Sequence, residues 1–137
     1  MKARIASSDF WERIESSFGT SGGVYKVACL QAVDSDETIP VQRLLGTDSE
    51  GVLYIGMAAS FIDRVIDLKK SLSPQHLSRG HECGVRIKKH KAISEAFPYE
   101  QLVISLIGSD SPRATESQAL EEYFATYGEL PPLNRAG

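Results

Sequence analysis

Hydrophobic residues recur at helical spacing in two segments of the chain, and start and stop signals of a helix bound a third segment. The first covers residues 9–18, where Asp9 opens a capping-box spacing and apolar side chains follow four positions apart. The second begins at Ser60 and stops before a proline. The third begins at Ser111, has proline at its first helical position and runs to about Tyr127, where a glycine follows. These signals predict three helices.

Residues that favour β-structure form four short runs. They occupy residues 23–30, 41–46, 52–56 and 101–108. Polar turns separate the first three runs, with turn residues at 47–51, so we expect an antiparallel hairpin or meander. The sequence of residues 73–84 predicts a loop. The segment VRIKKH that follows is compatible with either strand or helix.

The order of these elements predicts an α/β fold, with a small, mostly antiparallel sheet of about three core strands flanked by helices. A chain of 137 residues suits one domain, here 1–137, with residues 1–20 as an N-terminal helical extension. No internal repeat or low-complexity segment divides it.

Composition places the chain among soluble globular proteins. Hydrophobic residues make up 42% and charged residues 24%, which excludes the disordered and fibrous classes. No apolar run has the length of a membrane span or a secretory signal, so we expect no membrane partner and a cytoplasmic location. Cys29 and Cys83 lack metal-site spacing and are expected to be free thiols.

Charge is unevenly distributed along the chain. The formal net charge is −3, which argues at first against a nucleic-acid partner. Residues 61–91, the basic segment, carry eight cations against three carboxylates, a local excess of +5. A DNA-facing surface and an ordinary solvated face both fit this pattern. The cations that would bind nucleic acid are Lys69, Lys70, Arg79, Arg86, Lys88 and Lys89.

Two tripeptides stand on neighbouring predicted strands, GVY at residues 23–25 and YIG at residues 54–56. Arg64 follows on the next predicted helix, and a glutamate-bearing helix and Asn134 come later. These five features, in this order, resemble the GIY-YIG nuclease superfamily over residues 23–134.

The resemblance implies a small, divergent member of that superfamily: a metal-dependent endonuclease that hydrolyses nucleic-acid phosphodiester bonds, with DNA favoured over RNA. Mg²⁺ or Mn²⁺ is the implied cofactor. The motif tyrosines are 29 residues apart, farther than in many members, which makes residues 34–51 an insertion between the two motif strands.

The resemblance also implies roles for three side chains. Tyr25 would act as the base or position the attacking water, and Tyr54 would position the phosphate. Arg64 would stabilise charge on the phosphoryl oxygens, because a guanidinium is a planar, permanently charged fork. An unperturbed phenol has a pKa of about 10, so a tyrosine base needs a neighbouring cation or metal to lower that pKa.

Glu116 is the predicted catalytic carboxylate and metal ligand, preferred over Glu121 and Glu122 on the same predicted helix. One carboxylate with several waters is a sufficient site for a hard divalent ion. This assignment requires Glu116 to lie on the same side of the sheet as the two tyrosines. Otherwise the predicted cutting role fails and a binding scaffold is left.

Four further residues complete the predicted site. Gly23 and Gly56 belong to the two motifs and are structural, and Asn134 is expected to fix the C-terminal tail by amide hydrogen bonds. His81, in a polar loop, is a candidate replacement base, because imidazole titrates near neutral pH.

Two departures from the superfamily pattern keep an alternative open. Leu68 stands where many members have Tyr or His one turn after the arginine, and Met57 where some have lysine. The alternative is a catalytically weak or inactive GIY-YIG-like module that binds nucleic acid or protein. A homodimer or a partner protein would then supply specificity. The third reading is an unrelated α/β domain.

Overall fold

The computed structural model describes residues 1–73 and 82–134. Six strands are assigned: β1 (Lys2–Arg4), β2 (Gly23–Cys29), β3 (Val41–Arg43), β4 (Gly46–Asp48), β5 (Tyr54–Ala58) and β6 (Leu102–Gly108). The helices are α1 (Phe10–Phe18), α2 (Phe61–Leu72), α3 (Glu82–Lys89), α4 (Lys91–Ala96) and α5 (Pro112–Tyr127), with a short 3-10 helix at Tyr99–Gln101.

The main sheet has four antiparallel strands in the order β1-β6-β2-β5, and β3 and β4 form a separate hairpin. The predicted α/β class and antiparallel sheet are confirmed. The sheet has one strand more than the three core strands expected, because β1 pairs with β6 inside the supposed helical extension. Three residues are too few to show a period-two pattern, so this strand had no clear sequence signal.

The two faces of the sheet are covered by different helices. Along β2, Tyr25, Val27 and Cys29 point into a large core that also receives side chains from α1, α2 and α3. Val24 points to the other face, where it packs with Ile55 against α5. This division follows from the alternation of side chains along a strand, and it decides which functional residues can meet.

The three predicted helices are present as α1, α2 and α5. The predicted end of α5 is also present, because Gly128 adopts a left-handed conformation with φ 74°. The capping box at Asp9 is wrong, since its side chain makes no capping hydrogen bond and instead accepts one from the Ser7 hydroxyl.

Other predictions failed in the segments without a clear period. Residues 41–46 are not one strand; the chain turns at Leu44 and Leu45 and returns as β4. The undecided segment after the predicted loop is helical and belongs to α3, and α4 follows it. Most of the predicted loop, residues 74–81, lies outside the described residues.

The β3–β4 hairpin is attached to α5 through a buried carboxylate. Asp48 accepts hydrogen bonds from the backbone N–H groups of Glu50, Gly51 and Val52 and from the Tyr123 hydroxyl. The insertion between the motif strands is therefore packed against the domain. In the part of the chain that the structure describes, no helix is both long and apolar enough to cross a membrane.

Candidate functional site

The two motif tyrosines lie side by side on one face of the sheet. Tyr25 on β2 is opposite Gly56 on β5, and Tyr54 is two residues before Gly56. The tyrosine ring centroids are 6.1 Å apart. A Cβ atom on Gly56 would lie only 2.5 Å from the Cζ and hydroxyl of Tyr25, so only glycine leaves room for this ring.

Arg64 joins the tyrosines from α2. Its guanidinium lies within hydrogen-bonding reach of the Tyr25 hydroxyl and lowers the pKa of that hydroxyl. Tyr25 is 1% exposed, whereas Tyr54 and Arg64 are half-buried. We call these three side chains the tyrosine–arginine cluster. Tyr25 forms its floor, and the other two side chains reach the surface.

The environment of Tyr25 does not suit a general base. Burial raises the pKa of its hydroxyl far above the usual value, and the neighbouring Tyr54 raises it further. Arg64 lowers that pKa by a smaller amount. The phenol therefore stays protonated at neutral pH, and the geometry favours a positioning role in which Tyr25 holds the Arg64 guanidinium.

Asn134 binds the centre of the second motif. Its side-chain oxygen accepts from the Ile55 N–H at 2.9 Å, and its side-chain nitrogen donates to the Ile55 carbonyl at 2.8 Å. The Leu133 N–H also donates to the Leu53 carbonyl. The C-terminal tail thus pairs with the free edge of β5, next to Tyr54, as an additional strand would.

Gly23 is needed where β2 and β6 begin to pair. A Cβ atom there would lie 2.0 Å from the Ile107 carbonyl oxygen and 2.8 Å from the Ser109 nitrogen. Both are backbone atoms and cannot move aside cheaply. The two motif glycines are therefore required for different reasons. Gly23 allows the neighbouring strand to approach, and Gly56 leaves room for the Tyr25 ring.

Glu116 lies on the opposite face of the sheet from the cluster. It precedes Ala119 and Leu120 by three and four residues, so it shares their side of α5. Those two residues pack against Val24 and Ile55, on the face away from Tyr25. Burial raises the pKa of the Glu116 carboxyl, and Arg113 partly offsets this rise. With the sheet between them, this carboxylate and the tyrosine hydroxyls cannot share one ion.

A metal ion does not fit the cluster as described. Within residues 1–73 and 82–134, no three His, Cys, Asp or Glu side chains are grouped closely enough to hold a metal. The cluster itself presents a cation and two phenols, which repel or only weakly bind Mg²⁺. Glu121 and Glu122 are exposed on α5. The Mg²⁺ or Mn²⁺ cofactor stays a prediction.

The basic segment is not one free cationic face. Lys69 donates to the Ser7 carbonyl, Lys88 to the Ser73 carbonyl and Arg86 to the Leu133 carbonyl. Burial also lowers the pKa of Lys69. These three predicted nucleic-acid contacts hold elements of the fold together. Lys70 and Lys89 are exposed.

Two predicted site residues, His81 and Arg79, lie outside the described residues. One neighbour of the cluster had no sequence signal: Cys83, at the start of α3, is buried and close enough to influence the pKa of Tyr25. Both cysteines are buried free thiols. A lone cysteine in a sequence without spacing partners carries no functional pattern.

Comparison with family models, with curated proteins and with solved structures finds no match to this chain.

Proposed function

We propose that this chain is a nucleic-acid-binding domain of GIY-YIG-like architecture, in which the tyrosine–arginine cluster holds a backbone phosphate. The observation that carries the proposal is that the Arg64 guanidinium lies beside the buried Tyr25 hydroxyl and half-buried Tyr54. The three residues come from distant segments of the chain, and each stands at a motif position that the GIY-YIG resemblance names.

The chemistry of the cluster suits a phosphate. A guanidinium has five N–H donors, so Arg64 can bind the Tyr25 hydroxyl and phosphate oxygens at once. The Tyr54 hydroxyl adds a neutral donor from the neighbouring strand. Because Tyr25 is anchored in the core, the guanidinium is fixed before the ligand arrives, which reduces the entropy lost on binding.

Binding of fluorescent DNA and RNA oligonucleotides, measured by anisotropy over a series of salt concentrations, tests this proposal. Arg64→Ala should weaken binding at least about tenfold, the range expected for a charge-assisted hydrogen bond. Lys70→Ala, on the same helix but exposed, is the matched control and should weaken binding only about twofold. Equal effects of the two substitutions would contradict a specific site. Arg64→Lys keeps the positive charge but lacks the planar guanidinium, and it replaces Arg64→Ala in this test if the alanine variant folds poorly.

Metal-dependent cutting is the second candidate. It is favoured by the same observation that the two motif tyrosines and the motif arginine meet, as the nuclease resemblance implies. It requires a carboxylate other than Glu116 near the cluster. Binding without cutting ranks first because Glu116 lies across the sheet.

Plasmid nicking in Mg²⁺ or Mn²⁺ separates the two candidates. A binding domain leaves the plasmid intact. A nuclease with this geometry nicks it, loses that activity in Arg64→Ala and keeps it in Glu116→Gln. Nicking that survives Arg64→Ala indicates a contaminating nuclease.

A further inference from the structure

A second cationic site lies at the other edge of the sheet. A pocket of about 430 Å³ opens beside β1 and is lined by Lys2, Arg4 and Arg13, with Asp36 as its one carboxylate. We call it the β1 pocket. β1 and β5 are the two edges of the four-stranded sheet, about 14 Å apart at the usual strand spacing. The pocket is therefore separate from the tyrosine–arginine cluster.

The cations of the β1 pocket are held in place by backbone oxygens. Arg4 donates through Nη2 to the Ser35 carbonyl, and Arg13 donates to the Lys2 carbonyl, both at 3.2 Å. Among the described residues, no carboxylate forms an ion pair with Lys2, Arg4 or Arg13. Two elements, β1 and α1, thus bring three cations to one place, and the segment before β3 adds one carboxylate, Asp36.

Arg4 carries the clearest sign of a missing partner. Its Nη1 atom is buried and has no hydrogen-bond partner in the part of the chain that the structure describes. A buried, unsatisfied donor on a charged group is costly, whereas an anion beside it would remove that cost. Arg4 also lines the β1 pocket, and the Ser35 carbonyl accepts a hydrogen bond from its Nη2 atom.

We propose that the β1 pocket binds a phosphate monoester group. Three cations against one carboxylate match a group that carries close to two negative charges at neutral pH, and arginine forks match its oxygens. A terminal phosphate is exposed enough to enter a pocket at a sheet edge. Inorganic phosphate, a small phosphate ester and the 5′-phosphate of a nucleic acid share this chemistry.

Titration of the ¹⁵N-labelled full chain with inorganic phosphate, against chloride at equal ionic strength, tests the pocket. The backbone amides of Lys2, Arg4 and Ser35 and the Arg13 Nε–H should shift. Lys2→Gln and Arg13→Gln should each weaken phosphate binding about fivefold or more. Lys70→Gln is the control and should leave the affinity unchanged. The proposal is overturned if those signals do not move, or if all three substitutions act equally.

Two further measurements identify the source of the phosphate and separate this proposal from the first. An oligonucleotide with a 5′-phosphate that binds more tightly than its 5′-hydroxyl counterpart, with the difference lost in Arg13→Gln, assigns a nucleic-acid end. Equal binding of the two oligonucleotides, with inorganic phosphate still bound, assigns a free phosphate ester. Arg64→Ala should leave the phosphate shifts at the β1 pocket intact, whether or not the tyrosine–arginine cluster binds nucleic acid.

Discussion

Single residues decide what the tyrosine–arginine cluster can do. Tyr25 is buried, and burial raises the pKa of its hydroxyl, which favours a positioning role beside Arg64 over a role as base. Gly56 leaves the space that the Tyr25 ring fills. Both residues were predicted from the two sequence motifs. Their physical roles depend on burial, which a tripeptide sequence does not show.

Gly56→Ala should destabilise the fold. The added methyl group would meet the Tyr25 ring at 2.5 Å, and that ring is enclosed and cannot move aside. We expect a loss of about 1–3 kcal/mol in the free energy of unfolding, measured by urea denaturation. Gly108→Ala is the control, because its Cβ would lie an ordinary 3.6 Å from Phe18. Equal stability of Gly56→Ala and the wild type would show that the ring lies elsewhere.

Glu116→Gln should stabilise the protein at neutral pH. Burial raises the carboxyl pKa in the folded state above its ordinary value of 4.5. The contribution of the protonated group is therefore fully present below pH 4.5 and is lost as pH rises through the higher folded pKa. The variant should unfold at a higher temperature than the wild type at pH 7, and the gap should close towards pH 4. Exposed Glu121→Gln should show no such trend. A gap that is independent of pH would refute burial of the Glu116 carboxyl.

At the scale of elements, the sequence predicted helices better than the insertion. α1 and α2 each bury one stripe of apolar residues, so their 3.6-residue period is visible in the sequence. α5 was predicted instead from the proline at its first turn and the glycine after its end. The β3–β4 hairpin buries little and exposes Leu44 and Leu45 at its turn, so it has no alternating pattern to detect. Its position depends on contacts between distant residues: the Tyr123 hydroxyl donates to Asp48, the Leu45 N–H donates to the Tyr127 carbonyl, and Arg43 pairs with Glu129.

Asp48→Ala should weaken the attachment of the hairpin to α5. The substitution leaves three backbone N–H groups and the Tyr123 hydroxyl without their acceptor. We expect a loss of about 3 kcal/mol in unfolding free energy, with faster hydrogen exchange in residues 46–52. Exposed Glu50→Ala, two residues away, should cost about 0.5 kcal/mol or less. Unchanged exchange rates would mean that the hairpin is held by other contacts.

In the whole molecule, the sheet brings some of the predicted site residues together and separates them from another. It brings Tyr25, Tyr54 and Arg64 together and places Asn134 beside them, all of which were named from the sequence. It also puts Glu116 on the other face. The face of a residue on α5 depends on the side from which that helix crosses the sheet, which helix periodicity alone does not specify. The hydrogen-bond partners of the basic side chains could not be predicted from the sequence for a similar reason, because these carbonyl groups come from distant segments.

The most direct test of a phosphate site at the tyrosine–arginine cluster is a nuclear magnetic resonance titration of the labelled chain with a short oligonucleotide. The Arg64 Nε–H and the Tyr54 ring signals should shift together and saturate at the affinity measured by anisotropy. Shifts confined to exposed lysines such as Lys70 and Lys89, with Arg64 and Tyr54 unchanged, would contradict the account.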